Sequence, residues 1–312
     1  MEQHQHLIPI REDAPDYTMA KKLIINVAPT GAFSMRSDNP NQPYSIKEVT
    51  NEVISAYKHG ASMWHVHIRN EEGRAYTTEA DKIMEALDRV LDECPDIILS
   101  HSAHVDPRTT GSESLKPLVE PLMERGAKMG RRYIHTMVTI PYTRHRLFIV
   151  EPILVDIVTY LQGYNIKPEF QIHNYVSIRH VDSWLLKPGI LQGKPIMNII
   201  MGFHGSDFSA PISPEPWGRL YYISMLNNLP PGSIVGTTCG GHSWLPMCIE
   251  GISLGCELVR IGMEETIWLY PHRDDLIKNN VQVVRKVKTI AEELGREIAT
   301  PQEVVQLLGL AA

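Results

Sequence analysis

The sequence predicts a (β/α)8 TIM barrel, and three observations carry that expectation. A short β-rich apolar run, a polar or glycine-rich loop and a helical stretch recur from about residue 22 onward. That alternation calls for a parallel sheet with helical crossovers. Eight such units over ~280 residues fit a closed barrel better than two dinucleotide-binding halves. No G-x-G-x-x-G follows the first run, which the dinucleotide-binding alternative would require.

In chain order the expected strands are LIINVA (23–28), MWHVHI (63–68), DIILSHSA (96–103) and YIHTMVTI (133–140). EFQIHN (169–174), IMNIIMGF (196–203), SIVGTTC (233–239) and ELVRIGM (257–263) complete the set. Helical periodicity fills the gaps, as in SIKEVTNEVISAYKHG, TTEADKIMEALDRVLDE and DDLIKNNVQVVRKVKTIAEELG. Gly60, Gly126 and Gly295 stand where helices should stop. The tail ATPQEVVQLLGLAA reads as a last helix opened by Thr300-Pro301. Residues 21–312 therefore read as one barrel domain with a C-terminal helix, and residues 1–20 as an extension.

Composition narrows the function classes. The 43% hydrophobic content supports a sizeable core, and the net charge of -6 gives no basic face for nucleic acid. Cys94, Cys239, Cys248 and Cys256 form no close C-x-x-C pair, which suits a reducing compartment. The polar start MEQHQHLIPI lacks an apolar signal core, and no run reaches the ~18 apolar residues of a membrane span. A cytoplasmic protein with small-molecule partners is expected, with no nucleic acid and no membrane.

Active sites of such barrels lie at the C-terminal ends of the strands. Successive side chains alternate faces, so His65, His67 and Arg69 share one face at the end of strand two. Two imidazoles two residues apart can meet on one ion, although two hydrogen-bonded histidines would look the same. In ELVRIGMEE, Arg260 and Glu264 alternate onto the face that leaves strand eight at the same end. Two histidines and one carboxylate make a three-ligand set with open positions, suited to zinc as a Lewis acid and equally to iron(II). Arg260 beside an acidic residue could orient a general base or form a structural pair. Arg69 is expected in a structural ion pair. Further polar residues stand at strand ends: Thr30 and Gly31 closing strand one, Ser102 closing strand three with His101 and His104 beside it, Glu169 opening strand five and His204 after strand six. Each alone is weak, because loops are polar anyway.

Taken together, LIINVAPTGA (23–32), HVHIRNEEGR (65–74), PDIIL (95–99), IKPEF (166–170), LPM (245–247), VRIGMEE (259–265) and ELGREIATPQE (293–303) resemble the β-keto acid cleavage enzymes, the family of the 3-keto-5-aminohexanoate cleavage enzyme. The resemblance spans about residues 21–310. It implies a homotetrameric TIM barrel that condenses a β-keto acid with acetyl-CoA, giving acetoacetate and a new acyl-CoA. It implies Zn2+ on His65, His67 and Glu264, an arginine–acid dyad at Arg260 and Glu265, and a substrate-holding serine at Ser102. On this reading Glu265 takes a proton from the acetyl methyl group of acetyl-CoA. Substrate contacts are expected from Thr30, Gly31, Phe33, His101, His104, Glu169 and His204.

Three positions depart from the family pattern. The dyad aspartate is Glu265, one methylene longer. The amine-binding glutamate is Phe33, which implies a substrate with an uncharged distal end. The glycine-bearing turn after strand three reads Ser102-Ala103-His104-Val105, without the glycines that allow close backbone approach. That turn keeps open a metal-dependent aldolase or lyase that needs no CoA. A non-catalytic metal-binding barrel is the third reading.

Overall fold

The computed structural model describes residues 19–70, 73, 77–103, 111–141, 150–202 and 217–311. The expected extension, residues 1–20, falls almost wholly outside them, as do His104 and His204. Eight parallel strands close into a barrel in sequence order: β1 Ile24–Val27, β2 Met63–Val66, β3 Ile98–Ser102, β4 Thr136–Thr139, β5 Lys167–Ile172, β6 Ile196–Met201, β7 Ile234–Cys239 and β8 Leu258–Ile261. The outer helices are α1 Ile46–Tyr57, α2 Ala80–Glu93, α3 Lys116–Met129, α4 Glu151–Gly163, α5 Tyr175–His180, α6 Trp217–Leu226, α7 Trp244–Ser253 and α8 Asn280–Glu293. After β8 an antiparallel pair, β9 Trp268–Tyr270 and β10 Arg273–Leu276, is inserted before α8. The last helix, α9 Pro301–Leu308, opens on a reciprocal cap between Thr300 and Glu303. Among the described residues no helix is long and apolar enough to cross a membrane.

The barrel interior changes character along its axis. At the N-terminal end Ile24, Met63, Ile98, Ile196, Ile234 and Leu258 form an apolar plug. Ala299, Val304 and Leu308 seal it from below. Arg296, 1% exposed, ties that seal down by donating to the carbonyls of Lys21, Ile252 and Cys256. One layer higher the interior is polar. Ser100 Oγ donates to Glu169 Oε2 (3.1 Å), Asn198 Nδ2 to Glu169 Oε1 (2.8 Å), and Thr238 Oγ1 to Asn198 Oδ1 (2.9 Å).

Two expectations change here. Gly126 lies inside α3 rather than at its end, where a Cβ would sit 2.7 Å from the Arg131 carbonyl oxygen. The helix stops at Gly130, whose φ of 60° is the left-handed conformation that a glycine cap supplies. Glu169 does not open β5. The strand begins two residues earlier at Lys167, which buries Glu169 completely within the barrel, below the mouth.

Candidate active site

β2 brings His65 to the barrel interior, and His67 stands just past its end. β8 ends at Ile261, and the turn that follows carries Glu264 back over β1 through the Glu264 N–H to Ala28 carbonyl bond (3.2 Å). Because β1 lies between β8 and β2, the three side chains meet. Glu264 Oε1 lies 3.4 Å from His67 Nε2 and 3.7 Å from His65 Nε2. Donors of a tetrahedral ion held at ~2 Å lie roughly 3.3 Å apart, so these spacings suit one metal. All three residues are buried, and their donor atoms fall within 4.8 Å of one another.

Gly31 is required at this point. A Cβ there would lie 2.5 Å from Glu264 Cγ. Asn280 fixes the β8 exit from the side. Its Oδ1 accepts from the Met263 N–H (2.9 Å) while its Nδ2 donates to the Pro29 carbonyl (3.3 Å).

The electrostatics suit a cation. Burial, with Arg260 and Arg69 nearby, pushes the His67 imidazole down to about 3, so the ring is neutral and keeps a lone pair to offer. Burial raises Glu264 to about 7 against the pull of Arg260 and Arg69, and it raises Glu265 well above the carboxylate range. Glu264 Oε2 and Glu265 Oε2 have no hydrogen-bond partner among the described residues. A buried carboxylate oxygen left unmatched is costly, and a metal ion or an incoming ligand relieves that cost.

Arg260, 1% exposed, sits below this group. Its Nε donates to Glu265 Oε1 (2.8 Å), and one terminal nitrogen lies 3.2 Å from His65 Nε2. Ser102 Oγ lies 3.3 Å from His65 Nε2 and 3.2 Å from His67 Nε2. The structure therefore gathers His65, His67, Ser102, Arg260, Glu264 and Glu265 into one cluster.

Other expected site residues are tied into the surrounding loops and strands, and His101 shares a cavity wall with His67 and Ser102. The Thr30 hydroxyl donates to the Pro43 carbonyl (3.0 Å) and accepts from Gln42 Nε2 (3.1 Å) and Arg69 Nε (2.7 Å). One donor and two acceptor sites are thereby filled, so the Thr30 hydroxyl organises its loop. Arg69, expected in an ion pair, grips the same loop through Thr30, the Gly73 carbonyl (2.6 Å) and the Ser34 carbonyl (2.6 Å), with its guanidinium 4.4 Å over the Tyr44 ring. His101 alternates with Ser100 and Ser102 onto the helix-facing side of β3. Its Nε2 lies 2.9 Å from the Tyr133 carbonyl oxygen. Phe33 is half-buried in the loop after β1. Asn198, Thr238 and Asn280 were not expected. Asn198, a lone polar residue in the apolar run IMNIIM, was the visible sign.

Residues 22–310 match the family model described as beta-keto acid cleavage enzyme. The chain is 28% identical over 292 residues to the 3-keto-5-aminohexanoate cleavage enzyme of Acetoanaerobium sticklandii, covering 93% of this chain and 99% of that one. It is 26% identical to the 3-oxoadipate:acetyl-CoA acetyltransferase of Cupriavidus necator, covering 94% and 96%. Among solved structures, the fold resembles ObcA in binary complex with oxaloacetate, with a TM-score of 0.67 and 16% identity over 88% of this chain and 68% of that one.

Proposed function

The chain belongs to the beta-keto acid cleavage enzyme family, and on that premise we propose that it is a zinc-dependent enzyme that converts a β-keto acid and acetyl-CoA into acetoacetate and a new acyl-CoA. The single observation that carries the metal assignment is the meeting of His65, His67 and Glu264 in one buried group beside an unmatched carboxylate oxygen. A zinc ion held by these three residues would supply a Lewis acid for the keto acid's oxygens. The use of acetyl-CoA draws on the relative named 3-oxoadipate:acetyl-CoA acetyltransferase.

Conservation of atoms decides which carbon loses the proton. Acetoacetate keeps the carboxyl group and C2 of the β-keto acid and gains the two carbons of the acetyl group. The new thioester keeps C3 and everything beyond it. C2 joins the acetyl carbonyl carbon as the acetyl C–S bond breaks and CoA leaves as its thiolate. That thiolate then bonds to C3 as C2–C3 breaks, and C2 regains a proton. The proton therefore leaves C2 of the keto acid, not the methyl group expected from the sequence. Glu265 would take it. Arg260 holds one carboxylate oxygen, and the other, Oε2, has no protein partner among the described residues. Burial that raises the Glu265 pKa makes this carboxylate a stronger base once its proton is gone. Ser102 offers its hydroxyl at the histidine edge, where the substrate's carboxylate would approach. Phe33, in place of a carboxylate, supports a substrate with no distal amine.

The test is incubation of zinc-supplemented protein with doubly 13C-labelled acetyl-CoA and a panel of β-keto acids. Acetoacetate carrying both labelled carbons, beside an unlabelled acyl-CoA, is the expected product pair. Absence of labelled acetoacetate from every member would overturn the proposal.

A further inference from the structure

The first residue of α8, Asn280, is completely buried. It is not the helix cap. Asn279 fills that role, its side chain accepting from the Gln282 N–H (3.1 Å). Asparagine is a weak helix former, and burying its amide is unfavourable unless it is hydrogen-bonded. The helix alone therefore does not account for Asn280. Its side chain instead spans the seam between the ends of β1 and β8, through the Pro29 carbonyl and the Met263 N–H. Glu52 of α1 holds it there, with Oε2 accepting from the Asn280 N–H (2.6 Å) and from Nδ2 (3.0 Å). We propose that Asn280, oriented by Glu52, is a positioning residue for Glu264, and that the pair sets the affinity of the His65–His67–Glu264 group for its ion.

The inference rests on the metal reading above and adds what holds the third ligand in place. Need is the first argument. His65 lies within β2 and His67 just past its end, whereas Glu264 comes from a turn beyond β8 and has no strand of its own to fix it. Place is the second. Met263 immediately precedes Glu264, and Pro29 immediately follows Ala28, whose carbonyl accepts the Glu264 N–H. The two Asn280 contacts therefore flank the bond that carries Glu264 over β1. Ser34 Oγ clamps the same turn by donating to the Met263 carbonyl (3.1 Å). The seam has no slack, because a Cβ at Gly262 would overlap the Ala28 carbonyl and lie 2.9 Å from Asn280 Oδ1. Direction is the third. Nδ2 faces two acceptors and Oδ1 faces a donor, so a reversed amide would set oxygen against oxygen at Pro29 and at Glu52. Glu52 thus fixes which end of the amide meets the β8 exit.

Zinc affinity of the metal-free full-length protein, read by competition with a chelator, tests this beside urea midpoints of the same metal-free variants. Asn280→Asp keeps the shape but sets a carboxylate oxygen against the Pro29 carbonyl and Glu52. Its zinc affinity should fall about 10- to 100-fold. Glu52→Ala should lower affinity by a smaller factor. Glu52→Gln, whose amide oxygen can accept the same two N–H groups, should restore it to near the wild-type value. Glu52 is half-buried, so these two variants carry the test if Asn280→Asp does not fold. Val283→Ala, buried on the same helix, should lower the urea midpoint and leave zinc affinity unchanged. Wild-type affinity in folded Asn280→Asp, or in Glu52→Ala, would overturn the assignment. So would a Val283→Ala variant that loses zinc affinity by the same factor as Asn280→Asp. His65→Ala separates the two readings. If it leaves zinc affinity intact, the metal reading falls and takes this one with it; if it abolishes binding while the Asn280 and Glu52 variants bind normally, this assignment falls alone.

Discussion

The two ends of the barrel are built from the same strands and obey opposite rules. β8 places Leu258 in the apolar plug, Arg260 one layer higher among buried polar groups, and leads within three residues of its end to Glu264 at the mouth. Two residues of strand, a rise of about 6.6 Å, separate ordinary apolar packing from a fully buried guanidinium. Below, side chains fill space and α9 closes the floor. Above, charge is buried, and Glu264 Oε2 and Glu265 Oε2 find no protein partner among the described residues. Buried ion pairs seldom add net stability over apolar packing. On the proposed function the upper layer serves the chemistry and the lower one the fold.

Substitutions at the two levels should separate these roles. Arg260→Ala, in the layer between, should do the most damage. It strands Glu265 in the interior, costing about 3–5 kcal/mol of stability in urea denaturation, and it removes turnover as well. Leu258→Ala should cost about 2–5 kcal/mol through the space it opens in the plug, with turnover per folded molecule unchanged. A Leu258 variant with altered chemistry would blur the division.

Gly31→Ala addresses the mouth alone. The added methyl displaces Glu264, and zinc affinity measured by competition with a chelator should fall about 10- to 100-fold. Gly130→Ala, which meets nothing within 4 Å but must hold a φ of 60°, should cost about 1 kcal/mol and leave zinc binding alone.

The smallest effect is a pH dependence set outside the cluster. Burial, with Arg132 and His101 nearby, holds His135 at about 3, and the Leu99 N–H donates to its Nδ1 (3.0 Å). His101 is held at about 4 by burial. Both folded values lie below the ordinary histidine value of 6.5, so the unfolded chain binds more protons as pH falls. Their stabilisation is complete above pH 6.5 and is lost progressively toward pH 3–4. Between pH 6.5 and 5.5 each should cost about 1 kcal/mol, read from urea midpoints. His135→Gln should halve the slope contributed by the pair, and an unchanged slope would place the titration elsewhere.

Much of the upper layer was legible because strand alternation is strict. His65, His67 and Arg260 could be put on shared faces from spacing alone, and Glu264 was set beside them although a turn, not the strand, carries it there. What spacing does not reveal is how far a polar group is already satisfied. Spacing marked Thr30 as a strand-end polar residue, and the folded loop brings Pro43, Gln42 and Arg69 onto its hydroxyl. Glu169 was set at the opening of strand five, whereas β5 begins at Lys167 and Pro168 pairs with Met137 inside it. Asn280 was hidden for another reason. It comes from the start of α8, 251 positions from the Pro29 it binds, and no local pattern announces so distant a contact.

The central claim is that His65, His67 and Glu264 form a metal centre. Crystals grown with zinc and measured on both sides of the zinc absorption edge test it directly. A single anomalous peak per chain should appear among His65 Nε2, His67 Nε2 and the Glu264 carboxylate, and should vanish in Glu264→Ala. A peak elsewhere, or none in protein that still makes acetoacetate, would contradict it.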